Sequence, residues 1–213
     1  MGVCVIVLGK SGSGKSTSLR NFERGEVGVL NVLGKPLPFR RRLECADNAD
    51  YGRVRDAILS GTRRAWVVDD AGYLMQNENF ARAREAGFGK FTEMAMHFQE
   101  VIRAANLAPS DTITYLLMHP EADADGREKI KSVGKMIDSQ FGIEGAVPVL
   151  IDCVVQDGRH LFVTRNDGTN LAKAPIDSLP EVMDNDLREV DRLLREYWGL
   201  APLTDDEKSG DSE

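Results

Sequence analysis

Gly9, Lys10, Ser11, Gly12, Ser13, Gly14, Lys15, Ser16 and Thr17 read GKSGSGKST near the amino terminus. The spacing fits G-x-x-x-x-G-K-[ST], a loop whose backbone amides converge on a phosphate group. Glycines let the chain curl tightly enough for that, and a helix beginning at the loop adds a dipole that favours an anion. In such a loop Lys15 reaches the outer phosphates of a nucleoside triphosphate and the Ser16 hydroxyl ligates Mg2+. Residues Gly9 to Thr17 are therefore the expected contacts of ATP. A second signal is Asp69-Asp70, which ends the apolar run Ala65-Trp66-Val67-Val68. There Asp69 is expected to hold Mg2+ through water, and Asp70 to orient or deprotonate an attacking water. ATPases with a paired acidic step mostly carry glutamate second, so the shorter Asp70 points to slow turnover. His119, which follows Thr112 to Met118, is placed to sense the terminal phosphate. Lys135 and Lys173 follow flexible stretches and could reach a neighbouring subunit's nucleotide. Plainer readings stand beside these: acids that cap a turn, a histidine bonded to backbone, and solvated lysines.

These residues need elements to hold them. Val3 to Leu8 is apolar and β-branched, the mark of a strand buried on both faces. Lys15 to Phe22 reads as a helix ending near Gly25, and Val27 to Leu33 as a second strand broken by Gly34-Lys35-Pro36-Leu37-Pro38. Asp50 to Leu59 has helical spacing, Ala65 to Val68 is a third strand, and Glu78 to Leu107 reads as mostly helical. Thr112 to Met118 is a fourth strand, and Lys129 to Gln140 reads as a helix. Val147 to Val155 and His160 to Thr164 form a hairpin at Asp157-Gly158, and Asp177 to Trp198 closes the fold as an amphipathic helix. The alternation predicts an α/β domain over residues 1–200, with a mainly parallel sheet, flanking helices and an antiparallel C-terminal hairpin. Residues 201–213 are read as an acidic, disordered tail, with five acids against Lys208.

The chain has 213 residues, 42% hydrophobic, enough for one sizeable core. Strand formation from residue 3 leads us to expect no signal peptide or leading domain, and no apolar run is long enough to span a bilayer. Cys4, Cys45 and Cys153 are scattered, which suits a reducing cytoplasm, and the three histidines form no zinc pattern. A net charge of −7 does not advertise a nucleic-acid binder. Basic candidates are nonetheless present: Arg40-Arg41-Arg42 after Phe39, Arg63-Arg64, and Arg82 with Arg84. Phe39 beside three arginines offers a stacking face with phosphate contacts, the combination used by single-strand binders, although short basic runs are usually solvated faces.

Taken together the residues resemble the phage AAA-type ATP-binding family, minimal P-loop NTPases with a RecA-like core, some of them linked to single-strand annealing and recombination. The resemblance rests on GKSGSGKST, NVLGKPLPF (Asn31 to Phe39), WVVDD (Trp66 to Asp70), LLMHPE (Leu116 to Glu121), SVGKMID (Ser132 to Asp138), IEG (Ile143 to Gly145) and NDGTNLAKAP, which ends at Pro175. It implies ATP, Mg2+, a transaction on single-stranded DNA, self-association, and phage replication or recombination proteins as partners in a host cytoplasm. One departure stands out: RecA-like proteins place a catalytic glutamate after the second strand, where this chain has Leu33-Gly34-Lys35. Two other readings remain open, a non-catalytic ATP-gated assembly module of a replication or packaging machine, and a small-molecule kinase. The acids after His119, Glu121, Asp123 and Asp125, would repel a phosphorylated acceptor, and no N-K-x-D signature favours GTP.

Overall fold

Apolar, β-branched segments cannot leave their backbone groups unpaired in a core, so they pair with one another. In the computed structural model, which describes residues 1–122, 128–133 and 142–204, the elements run in chain order as follows. β1 (Val3–Leu8), β2 (Gly28–Asn31), β3 (Glu44–Asp47), α1 (Tyr51–Leu59), β4 (Ala65–Asp69), α2 (Gly72–Ala81) and α3 (Gly89–Leu107) make up the first half. β5 (Ile113–Met118), β6 (Pro120–Ala122), β7 (Glu128–Ile130), β8 (Val149–Gln156), β9 (Arg159–Val163), β10 (Val182–Asp184) and α4 (Leu187–Trp198) make up the second.

Eight strands form one mixed sheet in the order β10-β9-β8-β1-β5-β4-β2-β3. The six from β8 to β3 are mutually parallel, and β9 and β10 join antiparallel. Asp157 and Gly158, both at positive φ (50° and 75°), turn the β8–β9 hairpin as a paired left-handed turn requires. Each face of the sheet is covered. Cys4, Ile6 and Leu8 of β1 pack with Val54, Phe98 and Ile102 of α1 and α3, while Val5 and Val7 pack with Leu19, Phe22, Leu187, Val190 and Leu194 on the other side. Among the described residues no helix is long and apolar enough to cross a membrane.

Several expectations change in detail. Ser16–Asn21 is a short 3-10 helix, so the segment after the glycine loop is helical but tighter and shorter than an α-helix. Glu78 to Leu107 is divided between α2 and α3, with a break after Arg82. Lys129 to Val133 are not helical, and Lys129 and Ile130 lie in β7, which pairs with β6 in a separate ribbon. The remainder of that expected helix, 134–140, lies outside the described residues, as do 205–213 of the expected tail. The last helix starts at Leu187, not Asp177, because Asp186 caps it by accepting from the Arg188 and Glu189 amides, and β10 occupies the chain before it. Edge strand β3 escapes a sequence reading, since it is four residues long and largely exposed.

The sheet order sets up the site. Parallel strands end together, so the residues after β1, β2, β4 and β5 share one edge, the usual place for ligands in open α/β sheets. Because β5 separates β1 from β4, the residue after β5 stands between the glycine loop and the acidic pair.

Candidate functional site

The glycine loop leaves β1 at Leu8 and is tied to the strands on both sides of β1. The Gly9 amide donates to the Met118 carbonyl (3.2 Å), Cys153 Sγ to the Ser13 carbonyl (3.2 Å), and His160 Nδ1 to the same carbonyl (2.7 Å). A Cβ on Gly9 would lie 2.5 Å from Ser13 Oγ and 2.6 Å from the Cys153 carbonyl oxygen, so only glycine fits between loop and β8. Gly14, at φ +106°, adopts a backbone that other residues rarely take, and brings the chain against His160. The amides of Gly12, Gly14 and Lys15 donate to no protein acceptor among the described residues.

Lys15 is 6% exposed, and its ammonium folds under the loop. It donates to the carbonyls of Gly9 (2.6 Å) and Lys10 (3.1 Å) and approaches His119 Nδ1 at 3.4 Å. Among the described residues no carboxylate lies within ion-pairing distance of it. Burial pulls its pKa down, and the more distant Asp69 and Asp70 work against that shift. A buried ammonium without a counter-charge is costly, and an anion in the loop would offset the cost.

Ser16, after the glycine loop, and Asp69, at the end of β4, are brought together: Ser16 Oγ donates to Asp69 Oδ1 at 2.8 Å. Burial raises the Asp69 pKa, the Ser16 bond opposes this, and the Asp70 charge adds to it. A hydroxyl beside a buried carboxylate is a donor set suited to a hydrated Mg2+, whose other ligands come from water and phosphate oxygens. Among the described residues no cluster of three or more His, Cys, Asp or Glu forms a self-sufficient metal cage.

Asp70 sits in the left-handed backbone region (φ 61°), just past the end of β4. Its two oxygens are divided: Oδ1 faces His119 Nε2 at 3.1 Å, and Oδ2 pairs with Lys35 Nζ at 2.8 Å. Burial alone would raise its pKa, but the bonds from His119 and Lys35 outweigh that and hold the carboxyl below its ordinary value. Lys15 has only protons to give, so His119 Nδ1 accepts and Nε2 carries the proton donated to Asp70. Lys15, His119, Asp70 and Lys35 thus form one chain of polar contacts along the edge of four strands, β1, β5, β4 and β2. Its members line a cleft of about 630 Å³ together with Lys10, Ser16, Thr17, Tyr73 and Lys131.

The nine loop residues, Asp69, Asp70 and His119 therefore meet at one place. Lys173 does not join them: its ammonium donates to the Glu144 carbonyl (2.5 Å). Lys135 lies outside the described residues. Lys35, Tyr73 and His160 also line the cleft, and no local sequence pattern marks them. Lys35 follows β2, and only the strand order shows that β2 lies beside β4. His160 belongs to the hairpin, whose return strand carries it back to the loop.

Asp152 carries no local sequence signal either. It lies beside Leu8 in the β1–β8 register and lines a smaller hollow behind the loop with Glu128 and Ser13. It is 4% exposed, and neither oxygen has a hydrogen-bond partner of good geometry. Burial, reinforced by Glu128, pushes its pKa up to about 7.

A groove of about 420 Å³ runs past Phe39, Arg40, Arg41 and Arg42 and shares Lys35 with the cleft. Arg41 is committed to Glu23 (2.6 Å) and the Phe22 carbonyl (3.0 Å). Arg63 pairs with Glu44, and Arg82 with Glu78, Glu85 and Glu93. Arg40, Arg42 and Arg84 have no such partner among the described residues.

No protein-family model matches the chain, and no curated protein matches it.

Proposed function

We propose that this protein is a P-loop NTPase with a RecA-like core, which binds Mg-ATP and hydrolyses it slowly during a transaction on single-stranded DNA. The observation that carries the reading is Lys15, a buried ammonium without a carboxylate partner, set under unpaired loop amides and facing the Ser16–Asp69 pair. Each part has a role in such a site. The loop amides and Lys15 bind the phosphate tail. Ser16 and Asp69 would hold Mg2+, which when bound neutralises charge on the reacting phosphates. Asp70 orients a water and takes its proton at a carboxylate oxygen, and His119 fixes that carboxylate through its Nε2 proton. The groove beside Phe39, with Arg40 and Arg42 unpaired, supports single-stranded DNA as the partner, by stacking and phosphate contacts.

One observation favours a second reading, an ATP-gated assembly module without turnover. Both Asp70 oxygens are already engaged, by His119 and Lys35, which leaves the base poorly free to act. Phosphate release measured with and without single-stranded DNA, with solution mass recorded in parallel, separates the two. Turnover stimulated by DNA supports the ATPase. ATP-dependent assembly with no phosphate release supports the module, and hydrolysis indifferent to DNA removes the DNA role.

A further inference from the structure

Lys35 stands where the resemblance leads one to expect an acid, and its surroundings assign it a different task. Its backbone is fixed: Asn31 Nδ2 donates to the Lys35 carbonyl (2.7 Å) and to Asp47 Oδ1 (2.8 Å), which anchors the segment after β2 to β3. The side chain, 60% exposed, crosses to the cleft and rests its ammonium on Asp70 Oδ2 at 2.8 Å and 5.7 Å from the centre of the Tyr73 ring. Lys15 and Lys35 therefore flank the same His119–Asp70 unit, one from the loop side and one from the far wall. Lys15 is held beneath the loop, where it serves any phosphate chain seated there. Lys35 is the exposed cation on the far wall, reaching the same Asp70 carboxylate through its other oxygen.

We propose that Lys35 discriminates a nucleoside triphosphate from a diphosphate by leaving Asp70 for the terminal phosphate. This deepens the nucleotide reading above and rests on it. An exposed lysine exchanges one anionic partner for another at little conformational cost, and a terminal phosphate carries more charge than the single carboxylate oxygen it replaces. The exchange also frees Asp70 Oδ2, so arrival of a triphosphate and release of the base become one event. A diphosphate leaves the Lys35–Asp70 pair in place.

Calorimetric titration of wild type, Lys35→Ala and Lys35→Arg with Mg-ADP and with a non-hydrolysable ATP analogue tests this. Wild type is expected to prefer the triphosphate. Lys35→Ala should lose that preference by about tenfold, the effect of roughly one charge-assisted hydrogen bond, with ADP affinity unchanged. Lys35→Arg should retain most of it. Because the side chain is largely exposed, unchanged thermal midpoints are expected to show that all three chains fold alike. Equal weakening of both ligands, or of neither, in Lys35→Ala would overturn the role of Lys35 while leaving the nucleotide site intact. A wild-type protein that binds neither ligand would overturn both.

Discussion

At the scale of single residues, two buried titratable groups without a counter-charge account for most of what is unusual here. Lys15 lacks a carboxylate among the described residues, and Asp152 lacks a good hydrogen bond. Asp152 has a consequence that can be measured without any ligand. In the folded chain its carboxyl keeps a proton up to about pH 7. In an unfolded chain it keeps one only below about pH 4. Between those limits the folded state binds the extra proton, so the contribution to stability is full at acid pH and is lost as pH rises toward 7. Asp152→Asn removes the penalty. Urea unfolding at pH 8 should find the variant more stable than wild type by on the order of 1–3 kcal/mol, with the gap closing toward pH 4. A gap that is constant across this range would mean Asp152 ionises normally. For Asp70 the expected behaviour is kinetic. Asp70→Asn keeps a hydrogen-bonding partner for His119 but removes the base, so nucleotide binding should persist while phosphate release falls at least about a hundredfold, the usual contribution of a general base. Undiminished turnover in that variant would assign the base elsewhere.

At the scale of elements, the sheet edge depends on an anchor on the far side of the fold. Asp191 and Arg195 of α4 pair in the interior (2.5 Å), Tyr115 of β5 donates to Asp191 (2.9 Å), and Arg195 also donates to the carbonyls of Arg64, Asp111 and Ala201. This cluster joins α4 to the starts of β4 and β5, the two strands whose other ends present Asp69, Asp70 and His119. Removing one partner leaves a buried charge uncompensated, so Asp191→Ala should cost about 3–5 kcal/mol in denaturant unfolding. A loss under about 1 kcal/mol would show that solvent reaches Arg195 readily. The strands themselves were legible in the sequence because β1, β4 and β5 are unbroken apolar runs, and the β8–β9 hairpin because Asp157-Gly158 suits only such a turn. Boundaries were less legible. Apolar spacing carries on through the break between α2 and α3, and a cap at Asp186 competes with helical periodicity that begins at Asp177. The β6–β7 ribbon offers three-residue strands, too short for any period to register.

At the scale of the whole molecule, strand order is the fact that sequence could not supply. The loop, the acidic pair and His119 were each visible as local patterns, but nothing local says that β5 lies between β1 and β4. That single crossing puts His119 between Lys15 and Asp70, and the adjacency of β2 and β4 brings Lys35 to the same carboxylate. It also makes Lys35 common to the cleft and the Phe39–Arg42 groove. The proposed function depends on a bound anion that balances Lys15. Titration of the purified protein with ATP in the presence and absence of Mg2+, repeated on Lys15→Ala, tests it most directly. One nucleotide per chain, bound more tightly with Mg2+ and lost in Lys15→Ala, is the predicted result. No binding to wild type, or undiminished binding to Lys15→Ala, would contradict it.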